Sequence, residues 1–229
     1  MTTSTHTDAD EDPKRRRLTR EDWIEAATKR LILRSIDAVR VESLATELKV
    51  SRGSFYWHFK SRGELLDTIL AHWRDRQTRR INERIREDRT LSPEERLVRL
   101  RSLPARTKST EDAASLELAI RAWARRDRNA RRCVEEVDRD RIGIVRELLA
   151  DVNLPPQEAE TLAFVSYAYT IGESLIRELM SDQQIAKCRV RVLSYQLSGM
   201  TESKQASLTK ELVKSFAQGG RRKRGAGGK

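Results

Sequence analysis

The sequence predicts an all-α protein, and three observations predict it. Apolar residues recur at intervals of three and four along most of the chain, the mark of one-sided helices rather than of strands. Helix-start signatures of the form Ser/Thr-x-x-Asp/Glu stand at Thr19, Ser61 and Ser92. Only ten glycines and five prolines punctuate the 229 residues, too few turn-formers for a many-stranded sandwich.

Residues 1–17, MTTSTHTDADEDPKRRR, pass from acidic and polar to the basic run Lys14 to Arg17, and read as a disordered arm. Thr19 and Asp22 open a first helix with Trp23, Ile24, Ala27 and Leu31 on one face, expected to stop near Ser35. Val41 to Leu48 reads as a short second helix with Leu44, Ala45 and Leu48 inward. Ser51 can cap a third, running to about His58, and Ser61 with Glu64 forms a capping box that opens a longer helix through GELLDTILAHWRDRQTRRINERI. Short connections between short helices suit a compact trihelical head, 18–63, with a long fourth helix leading away.

The third helix carries the chemistry. SRGSFYWHFK, residues 51–60, holds Phe55, Tyr56, Trp57 and Phe59 beside Arg52, Lys60 and, just beyond, Arg62. A core explains the rings but not the charges, and a solvated face explains the reverse. In a helix Phe55 and Phe59 share a face and can pack inward. Arg52, Ser54, Tyr56, Trp57 and His58 are left on the other faces. An exposed arginine at a helix N-terminus can make bidentate contact with guanine in the major groove. Tyr56, His58 and the helix's own amides can bond phosphate oxygens, and Trp57 can press on sugar or a thymine methyl.

The remaining chain, 64–217, continues helical. Ser92-Pro93-Glu94-Glu95 is a third capping box with proline at the first helical position, opening a helix that Pro104 ends. Residues 111–127 place Leu116, Ala119, Ile120 and Trp123 on one face. Residues 129–152 place Cys133, Val137, Ile144 and Leu148 among their apolar positions, and Pro155-Pro156 breaks the chain. From Leu162 to Ile171 the next helix is apolar or small on every face, and such a helix must be covered on every face. Its small residues Ala163, Ser166, Ala168 and Gly172 permit close approach, either by a second copy of the chain or by the rest of one bundle. The run Arg121 to Arg132 reads as a solvated face paired with Glu117, Glu135 and Glu136. Residues 218–229 form a glycine-basic tail expected to be disordered.

Charge and motif content narrow the function. A formal charge of +11 and a pI near 10 call for a polyanionic partner, nucleic acid first and an acidic membrane surface second. No apolar run is long enough to span a membrane, no secretory signal is evident, and the expectation is a cytoplasmic protein without a membrane partner. Cys133 and Cys188 lack metal or disulfide spacing and are expected to be free thiols. His6, His58 and His72 sit in no catalytic or metal-ligating pattern, and neither a phosphate-binding loop nor a nucleophile elbow occurs. The sequence thus gives no catalytic residue, no metal site and no cofactor.

VESLATELKVSRGSFYWHFKSRGELLDTIL resembles the helix-turn-helix signature of the TetR/AcrR family of transcriptional regulators, most specifically in Tyr56-Trp57-His58-Phe59-Lys60 followed by Ser61-x-x-Glu64-Leu65-Leu66. The resemblance covers roughly residues 18–75. It implies Arg52, Gly53 and Ser54 at base edges or close backbone approach, and Tyr56, Trp57 and His58 against phosphate, sugar or base. Lys60 and Arg62 would lie near phosphates, with Arg40 and Ser43 at the opposite backbone of the same groove. Three positions depart from the pattern: Arg40 stands where Ser or Thr caps the second helix, Lys49 replaces the turn glycine, and Ser35 replaces the glycine after the first helix. Glu42 also stands close to the expected groove.

The resemblance further implies a homodimer pairing through its last long helices, binding double-stranded DNA, and a small-molecule effector held in the C-terminal domain that releases a repressor from a near-palindromic site. Trp123, Phe164, Tyr167 and Tyr169 are the ring-bearing candidates for the effector pocket, and Ala163, Ser166, Ala168 and Gly172 for the dimer face. A helical protein-interaction adaptor and a nonspecific basic DNA-binding protein are the rival readings.

Overall fold

The computed structural model of the chain describes residues 18–88, 90–102, 108–176 and 180–196, with single helical positions at 206 and 210. The expected arm, the expected tail and the stop at Pro104 lie outside the described residues. The elements run α1 (Arg20–Leu33), α2 (Val41–Glu47), α3 (Arg52–Tyr56), α4 (Arg62–Arg74), α5 (Arg80–Glu87), α6 (Pro93–Ser102), α7 (Lys108–Ala124), α8 (Arg128–Asp151), α9 (Pro156–Ile176) and α10 (Asp182–Gln196). The described chain is all helical, with a helix-turn-helix head followed by a helical domain.

Local chemistry sets the boundaries. Thr19 Oγ1 accepts from the Asp22 N–H while Asp22 Oδ2 accepts from the Thr19 N–H at 2.7 Å, closing the expected capping box. Ser92 and Glu95 close another, at 2.7 and 3.1 Å. The box at Ser61 is only half made. Ser61 Oγ accepts from the Glu64 N–H, but Glu64 Oε2 takes the Lys60 N–H instead of that of Ser61. Ser51 makes no side-chain cap, and α3 stops at Tyr56 rather than His58, because the His58 and Phe59 N–H groups both converge on the Phe55 carbonyl. Arg40 offers α2 no cap, as its side chain turns back to the Asp37 carbonyl at 3.1 Å.

The long fourth helix of the sequence reading is two helices joined by a π turn, Asp75–Arg79. The extra residue rephases the helix, and what it turns inward is polar: Thr78 and Asn82 are both buried. Thr78 Oγ1 accepts from Arg141 Nε at 3.0 Å, and Asn82 donates to the Asp140 carbonyl at 3.2 Å, so both are spent on α8.

Two apolar clusters hold the molecule together. The first runs from Trp23 and Leu31 through Phe55, Leu65 and Trp73 to Ile120, Trp123, Cys133 and Val137, so the head shares its core with α7 and the first half of α8. The second joins Ile85, Leu97 and Val98 to Ile144, Leu148 and Ala163, packing α5 and α6 against the second half of α8 and against α9. Helix α8 is therefore the beam common to both. Burial holds the Cys133 thiol above its ordinary range, and its Sγ lies 3.9 Å from the Leu70 carbonyl.

Lys49 sits at φ 56°, in the left-handed region. That conformation costs a non-glycine residue about 1–2 kcal/mol. Lys49→Gly is expected to raise stability by about 0.5–1 kcal/mol after glycine's own entropic penalty, and Lys49→Val to lower it by at least about 1 kcal/mol. Urea unfolding of the two variants checks the order.

Candidate nucleic-acid interface

Helix α3 is anchored by rings on its inner side. Phe55 and Phe59 are buried, 5.4 Å apart and stacked, and Trp23 meets Phe55 edge-on at 5.3 Å. Arg20 places its guanidinium 4.4 Å above the Phe59 ring, closing that side. With both phenylalanines fixed, the remaining side chains of 52–58 have only outward directions. Trp57 is 85% exposed, with no cover for its ring among the described residues. Tyr56 rests its edge on Phe55 at 5.3 Å yet stays 52% exposed. Arg52 and Gly53 are exposed, and Ser54 and His58 are half-buried.

No feature among the described residues requires glycine at 53. A Cβ there would meet only Ser51 Oγ at 3.7 Å, an ordinary contact, and the backbone is not left-handed.

Around α3 the charges divide into free and committed. Arg40 and Lys60 are exposed, and Ser43 is half-buried on α2. Arg62 is not a free cation: its Nε donates to the Val39 carbonyl at 2.5 Å and its Nη2 to the Ile36 carbonyl at 2.7 Å. It fastens the α1–α2 turn, because its stem at the start of α4 points back under that turn. Arg52 meets Glu42 at 3.1 Å across the α2–α3 junction, an exposed pair that holds the guanidinium over the outer surface. Glu64 is held below the usual carboxylate range, chiefly by the Lys60 N–H, with Arg20 assisting.

The residues expected to line an effector pocket are not brought together. Trp123 is buried in the cluster shared with the head, Tyr169 is half-buried, and Phe164 is 62% exposed on the outer side of α9. Tyr167 belongs to a polar junction. Its hydroxyl donates to Asp138 Oδ1 at 2.5 Å and accepts from Arg121 and Arg141 at 2.8 and 3.4 Å. Glu117 accepts from the same two arginines at 2.8 and 3.0 Å. Burial pushes the Tyr167 hydroxyl up to about 12, with the Asp138 bond adding to it against the two arginines. Burial opposes the charge on Arg121 and Arg141, but their carboxylate partners outweigh it and both stay firmly protonated. Sequence spacing announces only the Glu117–Arg121 contact; the rest is tertiary.

The dimer-face candidates also divide. Ala163 and Ser166 are buried inside the chain's own bundle, as Ala159 and Glu173 are, and so cannot meet a second copy. Ala168 is exposed and Gly172 half-buried. The apolar residues left outward on α9 are Phe164, Val165 and Ile176, spaced with Ala168 as one stripe.

A short turn between two short helices, the second apolar beneath and basic-aromatic above, defines a helix-turn-helix unit. Residues 24–69 match the model of the bacterial regulatory proteins of the tetR family. The fold of the whole described chain is that of such regulators. A gamma-butyrolactone receptor described as an ArpA-like protein superposes with a TM-score of 0.62 at 18% identity, over 87% of this chain and 96% of that one. A transcriptional regulator from Saccharomonospora viridis in complex with choline gives 0.58 at 18% identity, over 85% and 93%. The regulator FadR from Bacillus subtilis in complex with stearoyl-CoA gives 0.53 at 16% identity, over 86% and 99%. No curated protein matches the chain by sequence.

The different duties of two arginines are separable. Arg62→Ala removes two bonds from a charged donor to half-buried carbonyls and is expected to cost about 1.5–3 kcal/mol of stability. Arg52→Ala, on the exposed surface, is expected to leave stability within about 0.5 kcal/mol. Thermal unfolding of both variants makes the comparison.

Proposed function

We propose that this protein is a dimeric, sequence-specific transcriptional regulator, a repressor that a small-molecule effector releases from a near-palindromic operator. The observation that carries the reading is the two-sidedness of α3: Phe55 and Phe59 sealed below, Arg52, Tyr56 and Trp57 open above. Arg52 reads guanine, Gly53 and Ser54 lie closest to the bases, Tyr56 and His58 bond phosphates, and Trp57 presses on sugar or a thymine methyl. Arg40, Ser43 and Lys60 position the head on the backbone. Arg62 contributes by shaping the turn that presents α2.

Pairing is proposed through α9. Among the described residues, one chain covers the side of α9 bearing Ala163 and Ser166 and leaves Phe164, Val165 and Ile176 exposed around Ala168 and Gly172, a stripe that a two-fold copy would cover. A two-fold dimer presents two recognition helices to an inverted repeat. Effector control is supported by the chain's likeness in fold to a gamma-butyrolactone receptor and to regulators in complex with choline and with stearoyl-CoA. Tyr167, at the polar junction, and Tyr169, whose charged neighbours are Glu173 and Arg189 instead, stay with the effector region. Phe164 is assigned to pairing, and Trp123 to the core that would relay movement to the head.

Selection of bound fragments from random duplex DNA tests the reading directly. An inverted repeat is expected; recovery without sequence preference would assign the protein to nonspecific binding. Arg52→Ala is expected to lose about 1–3 kcal/mol on the selected site and to relax one position per half-site, with little change on scrambled DNA. Gly53→Ala is expected to keep the protein's thermal stability and weaken duplex binding, a combination that a purely structural glycine would reverse. Ala168→Asp is expected to give monomers by light scattering.

A further inference from the structure

We propose that the corner between α7 and α8 is a second DNA-contacting surface, binding duplex phosphates outside the groove that α3 enters. The inference rests on the DNA-binding reading of the head and adds a site to it.

The corner and the first turns of α8 expose Arg125, Arg126, Arg128, Arg131 and Arg132. Sequence spacing pairs the run Arg121 to Arg132 with Glu117, Glu135 and Glu136; Glu117 does meet Arg121, but neither it nor Glu136 is left for these five arginines. Glu117 is buried and accepts from Arg121 and Arg141, and Glu136 accepts from Arg74 at 2.8 Å. Glu135 stays exposed one turn further on, and Asp127 is engaged in capping α8 through the Ala130 N–H at 2.8 Å. Of the five arginines only Arg126 meets a carboxylate among the described residues, that of Asp37 at 3.3 Å. Arg131 donates to the Ala124 and Arg125 carbonyls at 3.3 and 3.2 Å, and Arg132 to the Asn129 side-chain oxygen at 2.9 Å; these partners are neutral. Arg125 and Arg128 make no ion pair among the described residues.

Placement turns surplus charge into a surface. Arg126 fastens the corner to Asp37, whose backbone carbonyl also receives Arg40 Nε at 3.1 Å. Asn129 fastens it to Asp67 of α4 at 2.6 Å. The corner is thereby tied to the turn before α2 and to the early part of α4, the two elements that flank α3. Arg40 and the corner thus meet at Asp37, and Lys60 stands just before the helix α4 that Asn129 holds. Guanidinium groups bound to neutral partners keep donors and full charge for phosphate. Continuity with the head is what selects a duplex over an acidic protein or an anionic membrane.

The test is the salt dependence of binding to the selected duplex by the full-length chain and by an Arg125→Ala/Arg128→Ala/Arg132→Ala variant, with ethylation interference as the map. Every phosphate that the variant no longer neutralises flattens the slope of log K against log salt by about 0.9. A slope shallower by about 2–3 for each protomer bound, about 5 for a dimer on its inverted repeat, with selected bases unchanged and interference abolished at phosphates outside the α3 half-sites, supports the proposal. An unchanged slope and map in a variant that unfolds at the wild-type temperature overturns it, as does an unchanged slope accompanied by weakened binding to polyglutamate or to phosphatidylserine vesicles. The Arg52→Ala protein separates the two readings. If it loses base preference while the triple variant changes nothing, the head reading stands and the corner falls; if the wild type binds no duplex, both fall.

Discussion

Everything on the outer surface of α3 depends on how Phe55 is seated. Its ring is closed on one side by Trp23, on another by Phe59 and on a third by the edge of Tyr56, each about 5.3–5.4 Å away. Aromatic pairs at such separations are orientation-dependent, so three of them leave one rotation of the short helix acceptable. A helix of five residues has too few backbone bonds to fix its own azimuth. Burial of one ring, and of Phe59 after it, does that instead. The outward directions of Arg52, Gly53 and Trp57 follow from an event inside the core.

A second constraint lies at the π turn. Arg141 threads between Thr78, Glu117, Tyr167 and the face of Trp73, whose ring centroid is 5.7 Å from the guanidinium carbon. A buried guanidinium costs several kcal/mol to desolvate, and only a full set of acceptors offsets that. The α4–α5 path, α7 and α9 each supply part of the set to this one side chain of α8. The arrangement therefore adds positional specificity more than stability, since no one helix can shift without stranding a charge.

How much of this was legible in the sequence follows the range of the interactions. Helix starts at Thr19 and Ser92 depend on residues three apart, and their spacing shows them. The inward set Trp23, Ala27, Leu31, Phe55 and Phe59 follows from helical period. The left-handed Lys49 and the uncapped Arg40 are visible as residues standing where others would serve better. Long-range choices were not visible. Arg62 reads as a phosphate ligand and is used as a clasp, because its acceptors lie 23 and 26 residues away. Glu64 reads as the partner of Ser61 and serves Lys60, a choice of rotamer. On α9 the apolar surround conceals which side the bundle takes, and only packing separates Ala163 and Ser166 from Ala168.

The shared cluster bears on how such a molecule could be regulated. Separate head and body domains would have a polar seam between them, and ligand-driven movement of the body could leave the head behind. Here Trp23 and Leu31 of α1 share one apolar cluster with Ile120 and Trp123 of α7 and with Cys133 and Val137 of α8. Close-packed side chains transmit displacement because they cannot be compressed. Under the proposed reading, an effector that moved α7 or α8 would carry α1 with it, and through Trp23 it would carry Phe55. The residue that aims the recognition helix is then also the end of the path by which a ligand could misaim it.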